Sequence, residues 1–288
     1  MQLAHSDPMK TSPLLYLPLI LVVIPAYWLA LLLTGRASRA YPVAQPQAMV
    51  HVAGQDITAE GLAARYAPTI LDLEAHQPPN ARLMWYEVVE QGDRLVMVYH
   101  PLWDDETQPN PVGNFLYRVY RQAAYGSERD TEYIEVTIDR ASGVIVRLRF
   151  EMAPPGEYDR PATEHLSVLI ERSDVGYDMT VSDEAGQVVQ PKAALADTSF
   201  IQGQTVTLSV QTWNHIFTPG RVDADAKPLR MPLTFLDDAT YRAMKMATRS
   251  YGDVFTPLDR EPGVVALTVL FSVLGGGLIL FILRKVLS

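Results

Sequence analysis

Hydrophobic and polar positions along this chain change rhythm twice. Residues 13–34 read PLLYLPLILVVIPAYWLALLLT and residues 263–283 read GVVALTVLFSVLGGGLILFIL, and neither run contains a charge. At about 1.5 Å per residue, each is long enough as a helix to cross a hydrocarbon core of about 30 Å. Both are expected to be transmembrane helices. Tyr16, Tyr27 and Trp28 lie toward the ends of the first run, where amphipathic rings favour the membrane interface. The first run has a rival reading as a signal peptide cleaved near Ser38-Arg39-Ala40, although signal cores are usually about 7–15 residues and this one is longer.

Between the two runs the pattern alternates with a period of two. MWYEVVE (84–90) and DRLVMVYH (93–100) flank a Gln91-Gly92 turn and are expected to pair as a hairpin. TEYIEVTIDRASGVIVRLRFE (131–151) is more explicit. With Arg140-Ala141-Ser142 closing Asp139 onto Gly143, Ile138, Val136 and Ile134 face Val144, Val146 and Leu148, while Glu135 and Tyr133 face Arg147 and Arg149. That register predicts an apolar face packed on a core and a solvent face with opposite charges paired across strands. Further strands are expected at 165–171, 176–182, 187–190 and 205–213.

Helical spacing is confined to short stretches. TAEGLAARYAP places Thr58 as N-cap and Pro68 beyond the end. Residues 114–126 are expected to form a helix stopped by Gly126. Residues 239–252 form another, capped by Asp237 or Asp238, with Gly252 at its C-cap. Residues 35–58 hold prolines and glutamines without sustained periodicity and are expected to be a linker. The fold expected is mainly β (α+β): a β-sandwich-like domain with a few helices over 59–258, bracketed by helices at 13–34 and 263–283, with tails at 1–12 and 284–288.

Composition narrows the function classes. The 288 residues include no cysteine, which excludes disulfides and thiolate metal sites. The net charge is −9, and residues 40–262 carry 32 acidic against 19 basic residues, or −13. Without clustered Lys and Arg to displace counterions, nucleic acid is excluded as a partner. Lys10, Arg284 and Lys285 on the outer flanks nearly balance Arg36, Arg39 and Arg260 on the inner ones. Long connecting domains translocate largely regardless of charge, so the domain is expected outside the cytoplasm with both termini inside. A cytoplasmic domain carried on a membrane hairpin is the alternative.

The densest chemical stretch is YHPLWDDETQPN (99–110). His100 and Asp104, with Asp130 and Glu135 from the following hairpin, are the candidate ligands for a divalent cation, because clustered carboxylates supply the oxygens such ions need. The alternating spacing of a calcium-binding loop is absent, and the acids also suit a solvated turn. His100, His165 and His215 are a second candidate set, for zinc, yet no spacing brings them together. No nucleophile elbow, S-x-x-K, Walker or dinucleotide fingerprint occurs. In the second apolar run, Gly275, Gly276 and Gly277 allow close backbone approach between helices in lipid, either to the first run or to another membrane subunit. Pro18 and Pro25 are expected to kink the first run.

Tyr66-Ala67-Pro68, the aromatic strand ending Tyr99-His100-Pro101, and the segment from Asp130 to Val136 together resemble the β-sandwich family of necrosis-inducing toxin-like and vacuolar-sorting-related proteins. The likeness covers about 85 residues, 65–150. It implies a β-sandwich and, in the toxin-like members, a His/Asp/Glu set holding a divalent cation. Only Asp130 and Glu135 carry over, because Thr131 and Glu132 interrupt the family's Asp-Trp-Glu core and the preceding histidines are missing.

The function expected is a membrane-anchored extracytoplasmic accessory or binding protein, a non-enzymatic subunit contacting the lipid bilayer and another membrane protein in the cell envelope. It is expected to have no cofactor. The alternative is a metal-dependent hydrolase, or metal-assisted ligand binder, acting on envelope lipid or glycan.

Overall fold

A computed structural model of the chain describes residues 22–23, 25–27, 29–30, 41–72, 81–104, 111–115, 118, 129–152, 165–183, 186–212, 215–221, 224–244, 246 and 262–287; residues 81–82, 262–265 and 280–287 are described by their backbone alone. The chain divides into two units. One, built on Ala40–Met246, carries the sheet; the other gathers the apolar segments from both ends of the chain.

The sheet is built outward from the hairpins. Strands β4 (Ala81–Gln91) and β5 (Arg94–Trp103) pair antiparallel from Gln91↔Arg94 down to Ala81↔Trp103. The turn therefore lies at Gly92-Asp93, one residue beyond the expected place, where Gly92 supplies a φ of 61°. β5 continues onto β6 (Asp130–Thr131) and β7 (Ile134–Asp139), and β7 pairs with β8 (Ile145–Met152).

The β7–β8 register differs from the expected one by two residues. Glu135 lies opposite Arg149, Val136 opposite Leu148, and Ile134 opposite Phe150. The turn does close as expected: Asp139 Oδ1 accepts from Ser142 N at 2.8 Å and from Ser142 Oγ at 2.5 Å, while Gly143 N donates to Asp139 O at 2.8 Å. Asp139 N, however, bonds Val144 O, and a bulge follows between Thr137 and Ile138. A two-residue slip leaves Leu148 and Arg149 on their original faces, but past the bulge Ile145 enters the core cluster and Val146 turns to the polar side, so the expected places of these two are exchanged.

From β8 the sheet branches. One branch runs through β9 (Leu166–Ser173) and β10 (Gly176–Ser182) to β11 (Val188–Ala194). The other runs through β14 (Phe217–Pro219) and β13 (Thr205–Val210) to β3 (Thr69–Asp72) and β15 (Lys227–Pro228). With β12 (Ile201–Gln202) on β13 and β16 (Leu233–Phe235) on β4, the result is one continuous 14-stranded sheet rather than two separately bonded layers. The protein is mainly β with a few helices.

The expected linker is partly structured. Met49–Val52 (β1) and Gln55–Thr58 (β2) form a separate two-stranded hairpin. Ala53 (φ 49°) and Gly54 (φ 74°) make its two-residue turn, since positive φ at both centres matches the twist of the strands. Helix α1 (Ala59–Tyr66) follows, with the Thr58 hydroxyl accepting from Gly61 N. Helix α2 (Asp238–Ala243) starts at its N-cap Asp237, whose carboxylate accepts from Thr240 N at 2.6 Å, and is capped at Met244. Gly252, the expected stop, lies outside the described residues. In the expected helix 114–126, residues 114–115 and 118 are helical, as are 111–113 before it; its remainder also lies outside them.

One core cluster joins both branches: Tyr86, Val88, Leu95, Met97 and Tyr99 meet Val136, Ile138, Leu148, Phe150 and Ile170, and Leu62, Tyr66, Ile70, Leu208 and Phe217 close over them. Tyr66 OH donates to Gly143 O at 2.6 Å and Tyr99 OH to Ala63 O at 2.7 Å, which satisfies both phenols inside an apolar environment. Burial drives the Tyr99 phenol well above its ordinary pKa, with Tyr66 adding to the shift.

In the other unit the backbone of Pro262–Leu287 is a single helix, α3. Its described side chains run from 266 to 279, and among the described residues no helix is long and apolar enough to cross a membrane. A Cβ placed on Gly275 would stand 3.2 Å from Val22 Cγ1, whereas Gly276 and Gly277 have nothing within 4 Å. Among the described residues, Gly275 is the one of the three that makes a close approach. Residues 1–12 and most of 13–34, Pro18 among them, lie outside the described residues.

Candidate functional site

Alternation along β4, β5 and β7 sends side chains to two faces. On the face opposite the apolar cluster, Glu87, Val98, Glu135 and Arg149 form one row across four strands. His100 lies two residues along β5 from Val98, on the same face. Its Nε2 is 2.8 Å from Glu87 Oε2, and both side chains are fully buried. A carboxylate only accepts, so Nε2 carries the proton. Tyr41 OH lies 3.3 and 3.4 Å from the two oxygens of Glu87 and shares a donation between them. Glu135 is also buried, at 1% exposure. The expectation of a solvent face bearing a Glu135–Arg147 pair is corrected here: Arg147 Nη2 instead donates to Glu171 Oε1 at 3.0 Å. The pattern of acids and arginines was read rightly as a polar face, but other parts of the fold cover it.

The remaining candidates are placed differently. Asp104 follows the end of β5 and is half-buried. Asp130 is the register partner of Trp103, three residues beyond His100, which puts it on the face opposite His100 and Glu135. Its Oδ2 lies 2.8 Å from His215 Nδ1. The His215 ring stacks on Trp103 with centroids 4.4 Å apart and planes 8° apart, and Trp103 in turn meets Phe217.

The local chain explains why His215 can reach this place. Gln211 N donates to Ile216 O, His215 N to Thr212 O and Ile216 N to Thr212 Oγ1, which tightens the turn between β13 and β14. His215 takes a φ of 61° in that turn, a conformation that costs a non-glycine residue about 1–3 kcal/mol. The ring stack and the Asp130 contact oppose that strain. With Nδ1 donating to Asp130, a neutral ring directs its acceptor lone pair from Nε2, the arrangement that orients a histidine base or ligand.

A third pair lies on the polar face. His165 Nδ1 is 2.7 Å from Glu151 Oε2 at a half-buried position. Burial raises the pKa of the nearby Tyr133 phenol, and the charge of Glu151 raises it further. His100, His165 and His215 thus each have a carboxylate of their own. Among the described residues, no three His, Cys, Asp or Glu side chains gather so as to hold a metal ion. Sequence reasoning missed Glu87 and Glu151. An acid flanked on both sides by apolar residues in MWYEVVE was the available signal for Glu87.

No protein-family model matches the chain, and no curated protein does. Solved structures similar to it include "NLPPya in complex with glucosamine" (16% identity, 78% of this chain, 95% of that chain, TM-score 0.36). Another is "NLPPya in complex with mannosamine" (17% identity, 78% and 95%, TM-score 0.36). A third is "Toxin fold for microbial attack and plant defense" (16% identity, 77% and 92%, TM-score 0.36). These are necrosis-inducing toxin structures, the family whose motifs the sequence resembles, and the structural resemblance is weak. No residue role is taken from it.

Proposed function

We propose that this protein is a membrane-anchored binding or accessory subunit, with two spans holding a β-rich extracytoplasmic domain against the envelope and both termini in the cytoplasm. The observation that carries the reading is the pair of uncharged apolar runs, 13–34 and 263–283, at opposite ends of the chain. Either one would suffice as an anchor, and the contact between Gly275 and Val22 supports their packing on each other. In the β-rich unit, each candidate histidine is held by a carboxylate of its own, an arrangement that suits structural support.

The absence of cysteine makes the topology directly testable. Val175, at the tip of the β9–β10 hairpin, is 89% exposed, and Val175→Cys provides a single thiol. Labelling by a membrane-impermeant maleimide in intact cells is the expected result; labelling only after lysis overturns the extracytoplasmic placement. Removing both apolar runs tests docking through the membrane, which is wrong if the soluble domain alone restores a deletion phenotype.

The cation-dependent alternative rested on His100, Asp104, Asp130 and Glu135; with His100 on Glu87 and Asp130 on His215, it would draw on Asp130 and His215 first, two ligands where a hard cation takes about six to eight. Elemental analysis with and without EDTA decides it.

A further inference from the structure

A cleft of about 510 Å³ opens where β5, β8, β9 and β11 present their polar side chains, lined by Arg94, Arg147, Arg172, Lys192, Glu171 and Asp174 among others. Four cationic side chains against two carboxylates leave its lining at +2, within a domain whose residues 40–262 total −13. A net excess of one sign in a cleft focuses the field and raises the local concentration of the opposite ion.

The pairing within the cleft shows where an anion would seat. Glu171 accepts from Arg147 Nη2 at 3.0 Å through Oε1, and Lys192 Nζ stands 3.5 Å from its Oε2. One carboxylate thus occupies the convergence of two cations. Lys192 also lies 3.7 Å from Asp178, and Arg94 is the register partner of Asp139, but neither of these acids lines the cleft. The lysine is 54% exposed, so it can swing to a ligand with little loss, and Arg94 and Arg172 are exposed as well. Planar guanidinium forks match the oxygens of phosphate.

We infer that this cleft binds a compact phosphate-type dianion, whose charge matches that of the lining. The ligand enters beside Glu171, takes Lys192 and Arg172, and competes with the Glu171 carboxylate for Arg147. Ordinary ion pairing would give the same contacts without a ligand, and the two cases differ in how the Glu171 carboxylate acts: a competitor for the anion, or merely a partner of the cations.

Titration calorimetry of the full chain in detergent, with inorganic phosphate at constant ionic strength, tests this. Saturable binding is expected, tightened about tenfold in Glu171→Gln and weakened at least fivefold in Lys192→Gln/Arg172→Gln. No saturable binding in either the natural chain or Glu171→Gln overturns the inference, as does binding that Lys192→Gln/Arg172→Gln leaves unchanged. Lys192 and Arg172 are exposed, so the double variant serves as the decisive arm if Glu171→Gln does not fold. Glycerol phosphate and vesicles containing phosphatidic acid then separate the two sources: competition by the first alone marks a soluble ligand, and competition by the second alone a lipid headgroup.

Discussion

Leu95, Met97 and Tyr99 point from β5 into one apolar cluster, while Val96, Val98 and His100, at alternate positions of the same strand, point to the other face; all six are at most 1% exposed. Equal burial rests on unequal chemistry. The first set needs only to fill volume, since each large apolar side chain gains about 1.5–3 kcal/mol on leaving water. The second set adjoins Glu87 and Glu135, and a buried carboxylate is tolerable only with a partner such as the one His100 gives Glu87. The apolar face tolerates exchange of shape and the polar face tolerates loss of neither partner.

The largest expected effect comes from breaking the polar side of this contrast. Glu87→Ala strands a fully buried histidine and should lose about 3–5 kcal/mol in a denaturant titration, whereas Glu87→Ala/His100→Ala should recover part of that loss. A double-variant loss equal to the sum of the Glu87→Ala and His100→Ala losses would show that the pair is not coupled.

Met97→Ala tests the apolar side. It removes a wholly buried side chain and should cost about 2–4 kcal/mol, with Met97→Leu recovering most of it because volume is retained. A smaller change probes how the apolar face is closed. Gly143 has a φ of 69°, and an added Cβ would meet Tyr66 OH at 3.1 Å. Gly143→Ala should therefore cost about 1–3 kcal/mol and, by disturbing the Tyr66 bond to Gly143 O, lower protection of the turn's backbone amides in hydrogen exchange.

The smallest effect lies at the rim of the polar face. The hydrogen bond from Arg147 holds Glu171 below its ordinary pKa of 4.5, with the charges of Arg147 and Lys192 assisting. A carboxylate lowered in the folded state adds stability above its unfolded value and loses it as pH falls through the folded one. Glu171→Gln should flatten the acid limb of the stability profile below about pH 4.5, modestly because the pair is partly exposed. An acid limb identical to that of the natural chain would place the ion pair outside the stability balance.

Much of this contrast was legible along the chain. The hairpins β4–β5 and β7–β8, the Thr58 cap and the apolar set Ile134, Val136 and Ile138 follow from spacing and turn chemistry. The bulge at Thr137/Ile138 was not legible, because it adds no residue type that marks it. Short strands such as β12, β14, β15 and β16 were missed for a related reason: two or three residues cannot display a period. The linker reading of 35–58 failed where Ala53-Gly54 forms a hairpin turn from a residue, alanine, that rarely takes positive φ.

For the candidate site, sequence alone selected His100, Asp104, Asp130 and Glu135 as residues of interest and set Glu135 on the polar face of its strand. Alternation carries that information, since the pleat repeats every two residues whatever lies above it. It carries none about what covers a face, and so the face bearing Glu135 and Arg149 read as solvated. Only the tertiary structure decided that Glu87 and Glu135 are buried, that Glu87 belongs to His100, and that Asp130 belongs to His215 across 85 residues of chain. Those pairings depend on how the sheet branches at β8 and where the β13–β14 turn comes to rest on Trp103, and a local period has no reach over such distances.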